Sequence, residues 1–215
     1  VLVIGFVFGI LIGALSGYYG GVVDGVVMRI CDAITAFPSI LLAMVVIAVI
    51  GPGTYNVIAA LGILFIPSFA RLVRGEFIKY RDRDFVQAAR LAGVPAWRII
   101  FVHILPNTWP VLLSGLTIGF NNAILSEASM SFLGLGVQPP TPSLGYMLNE
   151  SRSSINSTPW YMLFVGATIV LLVLMPAIFG GQELGPALGM MAVKLTLLVV
   201  VVALFGRKVI KQVLT

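Results

Sequence analysis

The chain has 215 residues, of which 59% are hydrophobic and only 10% are charged, and its mean hydropathy is +1.07. These values exclude an ordinary soluble domain and predict an integral membrane protein in contact with a lipid bilayer. The net charge of +5 does not indicate nucleic-acid binding, because the basic residues cluster beside apolar segments, where they act as topology signals. The single cysteine, Cys31, has no disulfide or metal-site companion and is predicted to be a small buried apolar residue.

The first predicted element is a membrane span over residues 1–15. Its glycines recur every four residues, at positions 5, 9 and 13, and therefore lie on one helical face where a second helix can approach closely. The sequence begins inside this apolar run, without a Met or a charged leader region, so we expect an earlier span to be missing.

A short amphipathic stretch follows and contains Asp24, Arg29 and Asp32. Asp32 lies three residues after Arg29, close enough to pair with it on a helix. A solvated stretch at the membrane interface is the simpler interpretation. Further along the chain, continuous apolar segments predict membrane spans over residues 33–50, 56–70, 109–135, 161–179 and 188–205.

Residues 71–107 form the one long region that a bilayer would reject. It contains seven of the basic residues of the chain: Arg71, Arg74, Lys79, Arg81, Arg83, Arg90 and Arg98. Since positively charged loops stay in the cytoplasm, this loop is predicted to be cytoplasmic and to fix the orientation of every other segment.

Two short helices are predicted inside this loop. The first covers residues 85–92, with acidic residues at its start where they suit the helix dipole, and Gly93 ends it as a C-cap glycine. The second begins at residue 96 and ends at Pro106. Ala88 and Ala89 either form a close docking surface for a partner protein or pack against the spans of the chain itself, and the sequence leaves both possibilities open.

The span at 109–135 carries polar residues in its middle, notably Asn121, Asn122 and Glu127. A carboxylate at that depth costs a few kcal/mol unless it faces protein or water, so Glu127 is predicted to point inward. It either lines a substrate path or hydrogen-bonds a neighbouring helix. A polar segment follows at residues 136–158, and we expect Pro176 to interrupt the next span.

The basic loop closely resembles the cytoplasmic signature of ATP-binding-cassette importer permeases. That signature has a Glu-Ala-Ala motif, a glycine after three further residues, and an apolar-x-Leu-Pro group some ten residues later. The matching residues are Gln87, Ala88, Ala89, Gly93, His103, Leu105 and Pro106. Two positions depart from the pattern, because Gln87 replaces the acid and His103 occupies the apolar place.

Further motifs narrow the resemblance to permeases of dipeptide, oligopeptide and nickel importers. They are Gly-Tyr-Tyr-Gly-Gly at 17–21, Met-Arg at 28–29 with Asp32, Ala-Phe-Pro-Ser at 36–39, Ala-Arg-Leu-Val-Arg at 70–74, His-Ile-Leu-Pro-Asn at 103–107 and the segment 131–143. The resemblance covers residues 1–172. It implies an all-α polytopic membrane helix bundle that lacks its first span, with the coupling loop at 71–107.

The resemblance also implies function. The residues expected to couple to an ATPase are Gln87, Ala88, Ala89, Arg90, Gly93, His103, Leu105 and Pro106, and the tentative translocation path comprises Asn121, Asn122 and Glu127. Two cytoplasmic ATPases, a second homologous permease and an extracytoplasmic substrate-binding protein are the implied partners, in a bacterial or archaeal cytoplasmic membrane. No P-loop occurs in the sequence, so ATP would be bound by the partner ATPases, with no cofactor in this chain and no enzymatic activity of its own. The substrate would be a peptide or a related small solute such as nickel.

Residues 173–215 fit this resemblance poorly. If the loop at 71–107 is cytoplasmic, counting spans puts Arg207, Lys208 and Lys211 on the opposite side from the one their charge predicts. The segment more weakly resembles a helix-break-helix piece of a monovalent cation:proton antiporter. Two alternatives therefore accompany the importer hypothesis: a proton-coupled secondary transporter that uses Glu127, His103 and Lys194, and a truncated or fused chain without transport activity.

Overall fold

A computed structural model of the protein describes residues 1–155 and 157–179, with side chains up to residue 175. Its helices are α1 (Leu2–Tyr19), α2 (Gly21–Thr35), α3 (Ser39–Ile50), α4 (Thr54–Arg81), α5 (Asp84–Leu91), α6 (Ala96–Arg98), α7 (Leu105–Phe132), α8 (Leu144–Ser151) and α9 (Pro159–Phe179). No strand occurs in these residues, which confirms the all-α class for the described part of the chain.

The chain divides into two compact units, Val1–Val173 and Leu174–Thr215. The second unit lies mostly beyond the described residues. The span predicted at 188–205 and the basic residues after it fall there, so the topology conflict stays a prediction. The positions and contacts given below belong to the first unit.

The parallel pair of α1 and α4 is built on glycines. A methyl group placed on Gly5 would lie 2.7 Å from the Cβ of Phe65, and one placed on Gly17 would lie 2.6 Å from the Cβ of Phe77. Only glycine allows the two backbones to come this close. The predicted glycine face of the first span is therefore confirmed. Because the contacts advance together along both helices, α1 and α4 run in the same direction.

The predicted span at 33–50 is wrong at its beginning. The chain is helical up to Thr35, breaks at residues 36–38, and starts a new helix at Ser39 whose axis is bent by 81° from the first. Pro38 explains the break, since a proline disfavours helical backbone at the residue before it. The 12 residues of α3 extend about 18 Å, which is short of the ~30 Å hydrocarbon thickness. Cys31 of α2 is buried, as predicted.

Both ends of the predicted basic loop, residues 71–107, are helical in the structure. Helix α4 continues to Arg81, so Arg71 and Arg74 lie on a long helix rather than in a loop. On the other side, Ala96–Phe132 is one continuous helix of 37 residues and does not end at Pro106. A π-helical segment at Ile99–Ile104 precedes Pro106, which occupies the first turn of α7, where its missing N–H is tolerated.

Within residues 1–155 and 157–179, three helices are long and apolar enough to cross a membrane: α1, α4 and the continuous Ala96–Phe132 helix. A fourth crossing results if the bent pair of α2 and α3 counts as one span. The predicted polar segment at 136–158 contains α8 and a short 3-10 turn. Helix α9 runs through Pro176 to Phe179, so the expected interruption there is wrong.

Candidate coupling site and membrane cleft

Helix α5 (Asp84–Leu91) is held to the membrane helices by one apolar face. Val86 and Ala89, three residues apart, are buried in it. They belong to a cluster that also contains Ala14 of α1, Val73 and Phe77 of α4, Ile99, Ile100 and Ile104 of the π-helical segment, and Leu112 of α7. The helix predicted at 85–92 is confirmed. It packs in one cluster with residues of α1, α4 and α7 rather than being suspended in a loop.

Gly93 ends α5 with a complete Schellman motif. Its φ is 74°, a left-handed conformation that favours glycine. The N–H of Gly93 donates to the carbonyl oxygen of Arg90 at 3.0 Å, and the N–H of Val94 donates to the carbonyl oxygen of Ala89 at 3.0 Å. These two bonds are the paired bonds that define the motif. The predicted C-cap glycine is therefore confirmed, and the exit direction of the chain is fixed.

Two polar contacts hold α5 against its surroundings. The guanidinium of Arg90 lies 4.9 Å from the centre of the Tyr18 ring, at the end of α1, in cation–π geometry. The side-chain amide of Gln87 donates to the carbonyl oxygen of Asp82 at 3.0 Å and so stiffens the turn before the helix. With its buried face and its capped end, α5 is positioned as a rigid projection.

The outer face of α5 is open and partly apolar. Ala89 is buried against the helices of the chain itself, which is one of the two predicted alternatives. Ala88 is exposed, so it fits the other alternative, a surface for a partner protein. Leu91 is 90% exposed and Trp97, just beyond the glycine, is 63% exposed. Sequence analysis missed both. A helical wheel could have found Leu91, because Leu91 falls off the face that Val86 and Ala89 define.

The second half of the predicted coupling motif lies on the following helix. Leu105 packs against the same apolar cluster as α5. His103 is half-buried, and its Nδ1 bonds the carbonyl oxygen of Arg98 at 3.1 Å, within its own helix. Pro106 is exposed. Of these residues, only Leu105 is thus brought into the packing that supports α5.

A partly buried polar junction at the C-terminal ends of α1 and α4 was not predicted. The guanidinium of Arg74 donates two hydrogen bonds to the carboxylate of Asp24, from Nε to Oδ1 and from Nη2 to Oδ2, the second at 2.6 Å. The hydroxyl of Ser16 also donates to this carboxylate. The junction ties α1, α2 and α4 together. The suggested pairing of Asp32 with Arg29 does not form. The Asp32 carboxylate instead faces Arg71 of α4, with Oδ1 and Nη2 3.6 Å apart.

Glu127 bridges two elements of the fold. Its Oε1 accepts hydrogen bonds from the hydroxyls of Ser131, at 2.6 Å, and Ser143, at 2.9 Å. Ser143 is the N-cap of α8, where its hydroxyl also accepts the N–H of Tyr146. Glu127 therefore makes the contact with a neighbouring helix that was one of its two predicted roles. It lies 24 residues from His103 along one helix, about 36 Å, which is too far for a shared proton relay.

Glu127→Gln is expected to leave stability, and the solute uptake that the importer resemblance predicts, nearly unchanged, because the amide oxygen of glutamine can still accept hydrogen bonds from both serine hydroxyls. Glu127→Leu deprives the hydroxyls of Ser131 and Ser143 of their common acceptor and should lower the free energy of unfolding by about 1–3 kcal/mol. Uptake assays and thermal unfolding of the purified protein measure the two effects. Loss of uptake in Glu127→Gln would instead favour a proton-carrying role.

A cleft of about 390 Å³ opens between α3, α4 and α7. Its lining consists of Ser39, Ile40, Leu61, Leu64, Phe65, Ser68, Asn122, Leu125, Ser126 and Ser129. Of the three residues predicted for a translocation path, Asn122 lines this cleft, whereas Asn121 and Glu127 do not. The structure adds Ser39 and Ser68, each of which directly follows a proline, a signal that sequence analysis left unused.

The sequence matches the family described as binding-protein-dependent transport system inner membrane component, over residues 9–210. The match includes most of the segment after residue 172, whose resemblance to an antiporter stays a prediction. Curated relatives agree over a shorter region. The dipeptide transport system permease protein DppC of Alkalihalophilus pseudofirmus is 47% identical over 148 residues, which are 69% of this chain and 49% of the relative.

The glutathione transport system permease protein GsiD gives a similar result. The protein from Salmonella typhimurium is 48% identical and that from Escherichia coli 47% identical, again over 148 residues, 69% of this chain and 49% of the relative. The chain thus spans about half the length of the curated relatives that it matches.

Proposed function

This chain belongs to the family of binding-protein-dependent transport system inner membrane components, and we propose that it is a membrane subunit of an ATP-driven importer of peptides. It is a transport protein and not an enzyme. Its several apolar helices make it a multi-pass membrane protein. The bacterial or archaeal cytoplasmic membrane is the proposed location. Peptides are preferred over nickel as the substrate because the relatives above are named for dipeptide and glutathione transport.

The observation that carries the proposal is the rigid, open projection formed by α5 and Gly93. To move the membrane helices, a soluble ATPase needs an exposed surface to bind, on an element that stays rigid under load. Ala88 offers a small surface for close approach, and the side chain of Leu91 offers an apolar anchor with no contacts of its own to lose. The contacts of Gln87, Arg90 and Gly93 described above fix the position of this surface.

Movement of α5 would reach the membrane helices through its buried face. Val86 and Ala89 pack in the same cluster as Phe77 of α4 and Ala14 of α1, and Arg90 rests on Tyr18 at the end of α1. Since α1 and α4 are locked together by their glycine contacts, they would move as one body. Closure of the ATPases would in this way turn the pair between outward-open and inward-open arrangements, a hinge or shear transition.

The proposed assembly contains two cytoplasmic ATPases, a second homologous permease and an extracytoplasmic binding protein that delivers the solute. Expression of the full-length protein with its candidate partners tests this composition. The ATPase is expected to co-purify with the permease and to hydrolyse ATP faster when the loaded binding protein is added. A permease that inserts into the membrane but retains no ATPase would contradict the proposal.

A further inference from the structure

Five hydroxyl or amide side chains converge on the cleft between α3, α4 and α7. On α7, Asn122, Ser126 and Ser129 are spaced by four and three residues and so share one helical face. Ser68 of α4 and Ser39 at the start of α3 complete the polar lining. The remaining walls, among them Leu61 and Phe65, are apolar. Ser39, Ser68 and Asn122 are exposed in this chain, so the cleft is an accessible space between three helices that combines hydrogen-bonding groups with an otherwise apolar surface.

Most of these polar groups are uncommitted. Ser129 donates to the carbonyl oxygen of Leu125 at 2.6 Å in its own helix. Ser39, Ser68, Asn122 and Ser126 make no side-chain hydrogen bond to any residue in the described part of the chain. Polar groups among membrane helices are unfavourable unless protein, water or a solute bonds them. In this cleft they are free to bond water or a polar guest.

The lining carries no charge, since it consists of serine, asparagine, leucine, isoleucine and phenylalanine only. Serine hydroxyls and the asparagine amide each both donate and accept hydrogen bonds, as peptide amides do. The volume of about 390 Å³ lies in the range of ~300–1,000 Å³ that is usual for small-molecule sites. Without a fixed charge, the cleft has nothing with which to select a charged side chain.

We propose that this cleft is a contact site for the translocated solute, and that it hydrogen-bonds the uncharged amide groups of a short peptide without selecting the charge of its side chains. The assignment rests on the proposed import function. It distinguishes the cleft from a cation site, which would need carboxylates or other anionic ligands. Peptides that differ in side-chain charge would thus pass the same contact with similar ease.

Labelling of a single cysteine tests whether the solute occupies the cleft. Ser126→Cys, in a Cys31→Ser background and in membranes that hold the complete transporter, is expected to react with a hydrophilic thiol reagent. The dipeptide Ala-Ala at saturation should remove most of that labelling. Ser114→Cys is the matched control, because Ser114 lies on the same helix outside the cleft, and its reaction should not respond to Ala-Ala. An unreactive Ser126→Cys, or one that Ala-Ala does not protect, would overturn the assignment.

A charge placed in the cleft tests the absence of charge selection. The wild type is expected to take up Lys-Ala and Ala-Glu in a ratio that Asn122→Asp shifts by about tenfold toward Lys-Ala, because the new carboxylate attracts one and repels the other. Asn149→Asp, the same substitution on α8, should leave the ratio unchanged. If the ratio is unchanged in Asn122→Asp while uptake is intact, the assignment of the cleft as a solute contact is wrong, but the proposed import function is not affected. If the wild type takes up no peptide in the presence of ATP and all of its partners, both the cleft assignment and the proposed import function are wrong.

Discussion

Leu91→Asp is expected to weaken the association of the permease with its ATPase by on the order of 100-fold. Leu91 is 90% exposed, so the substitution removes no packing within the chain. In the proposed complex, however, the aspartate carboxylate would be carried into an apolar groove of the partner and would lose its hydration there. Binding of the purified ATPase to permease in lipid nanodiscs measures the effect.

Tyr55→Asp is the matched control for this substitution. Tyr55 is 87% exposed and lies at the beginning of α4, whereas α5 follows the other end of that helix. An acidic residue there changes the charge of the permease by the same amount but is placed far from the proposed contact. ATPase binding that survives Leu91→Asp, or that is lost equally in Tyr55→Asp, would remove α5 as the contact.

Gly13→Leu is expected to prevent the correct packing of α1 on α4, with a loss of about 3 kcal/mol or more. A methyl group at this position would overlap the carbonyl oxygen of Ala70 and lie 2.8 Å from the Cβ of Val73. Backbone cannot move aside as a flexible side chain can. The yield of monodisperse protein and its thermal midpoint in detergent report the loss.

Gly75→Leu provides the control within the same helix pair. A methyl group on Gly75 of α4 would meet nothing within 4 Å, so the larger side chain has room. Its effect on the thermal midpoint should be small. Equal damage from Gly13→Leu and Gly75→Leu would show that the loss reflects a general intolerance to large residues and not the contact between α1 and α4.

Features that depend on neighbouring residues were predicted well. The amphipathic α5, its acidic start and its C-cap at Gly93 follow from helix propensity, the dipole and the left-handed conformation that glycine permits, all of which act within a few residues. The glycine face of α1 follows from the helical repeat alone. Which face of α5 is buried is less local, because the burial of Ala89 and the exposure of Ala88 depend on the position of α4.

Features that depend on distant contacts were not predicted. Asp24 and Arg74 are 50 residues apart in the sequence, so nothing in the local pattern of either one indicates their pairing. Pro106 was expected to end a helix, but the π-helical segment before it lets the helix continue. Asn121 and Asn122 were both assigned to the tentative translocation path, but adjacent residues on a helix point about 100° apart, and of the two only Asn122 lines the cleft.

In the proposed mechanism, helix α4 links the two proposed sites. Helix α5 packs near the C-terminal ends of α1 and α4, and the middle of α4 supplies Ser68 and Leu61 to the cleft. A displacement of α5 would therefore change the wall of the cleft that α4 forms, while α7 carries the facing wall. This arrangement would provide the mechanical link between nucleotide and solute that the proposed ATP-driven import requires.

Uptake of a labelled dipeptide by vesicles that contain only the purified transporter tests the central claim most directly. With the ATPase side facing the lumen and the loaded binding protein outside, enclosed ATP is expected to drive accumulation, and a non-hydrolysable analogue is not. Collapse of the pH gradient by a protonophore should leave the rate unchanged. Accumulation that proceeds without ATP and disappears with the protonophore would contradict the account and favour a proton-coupled transporter.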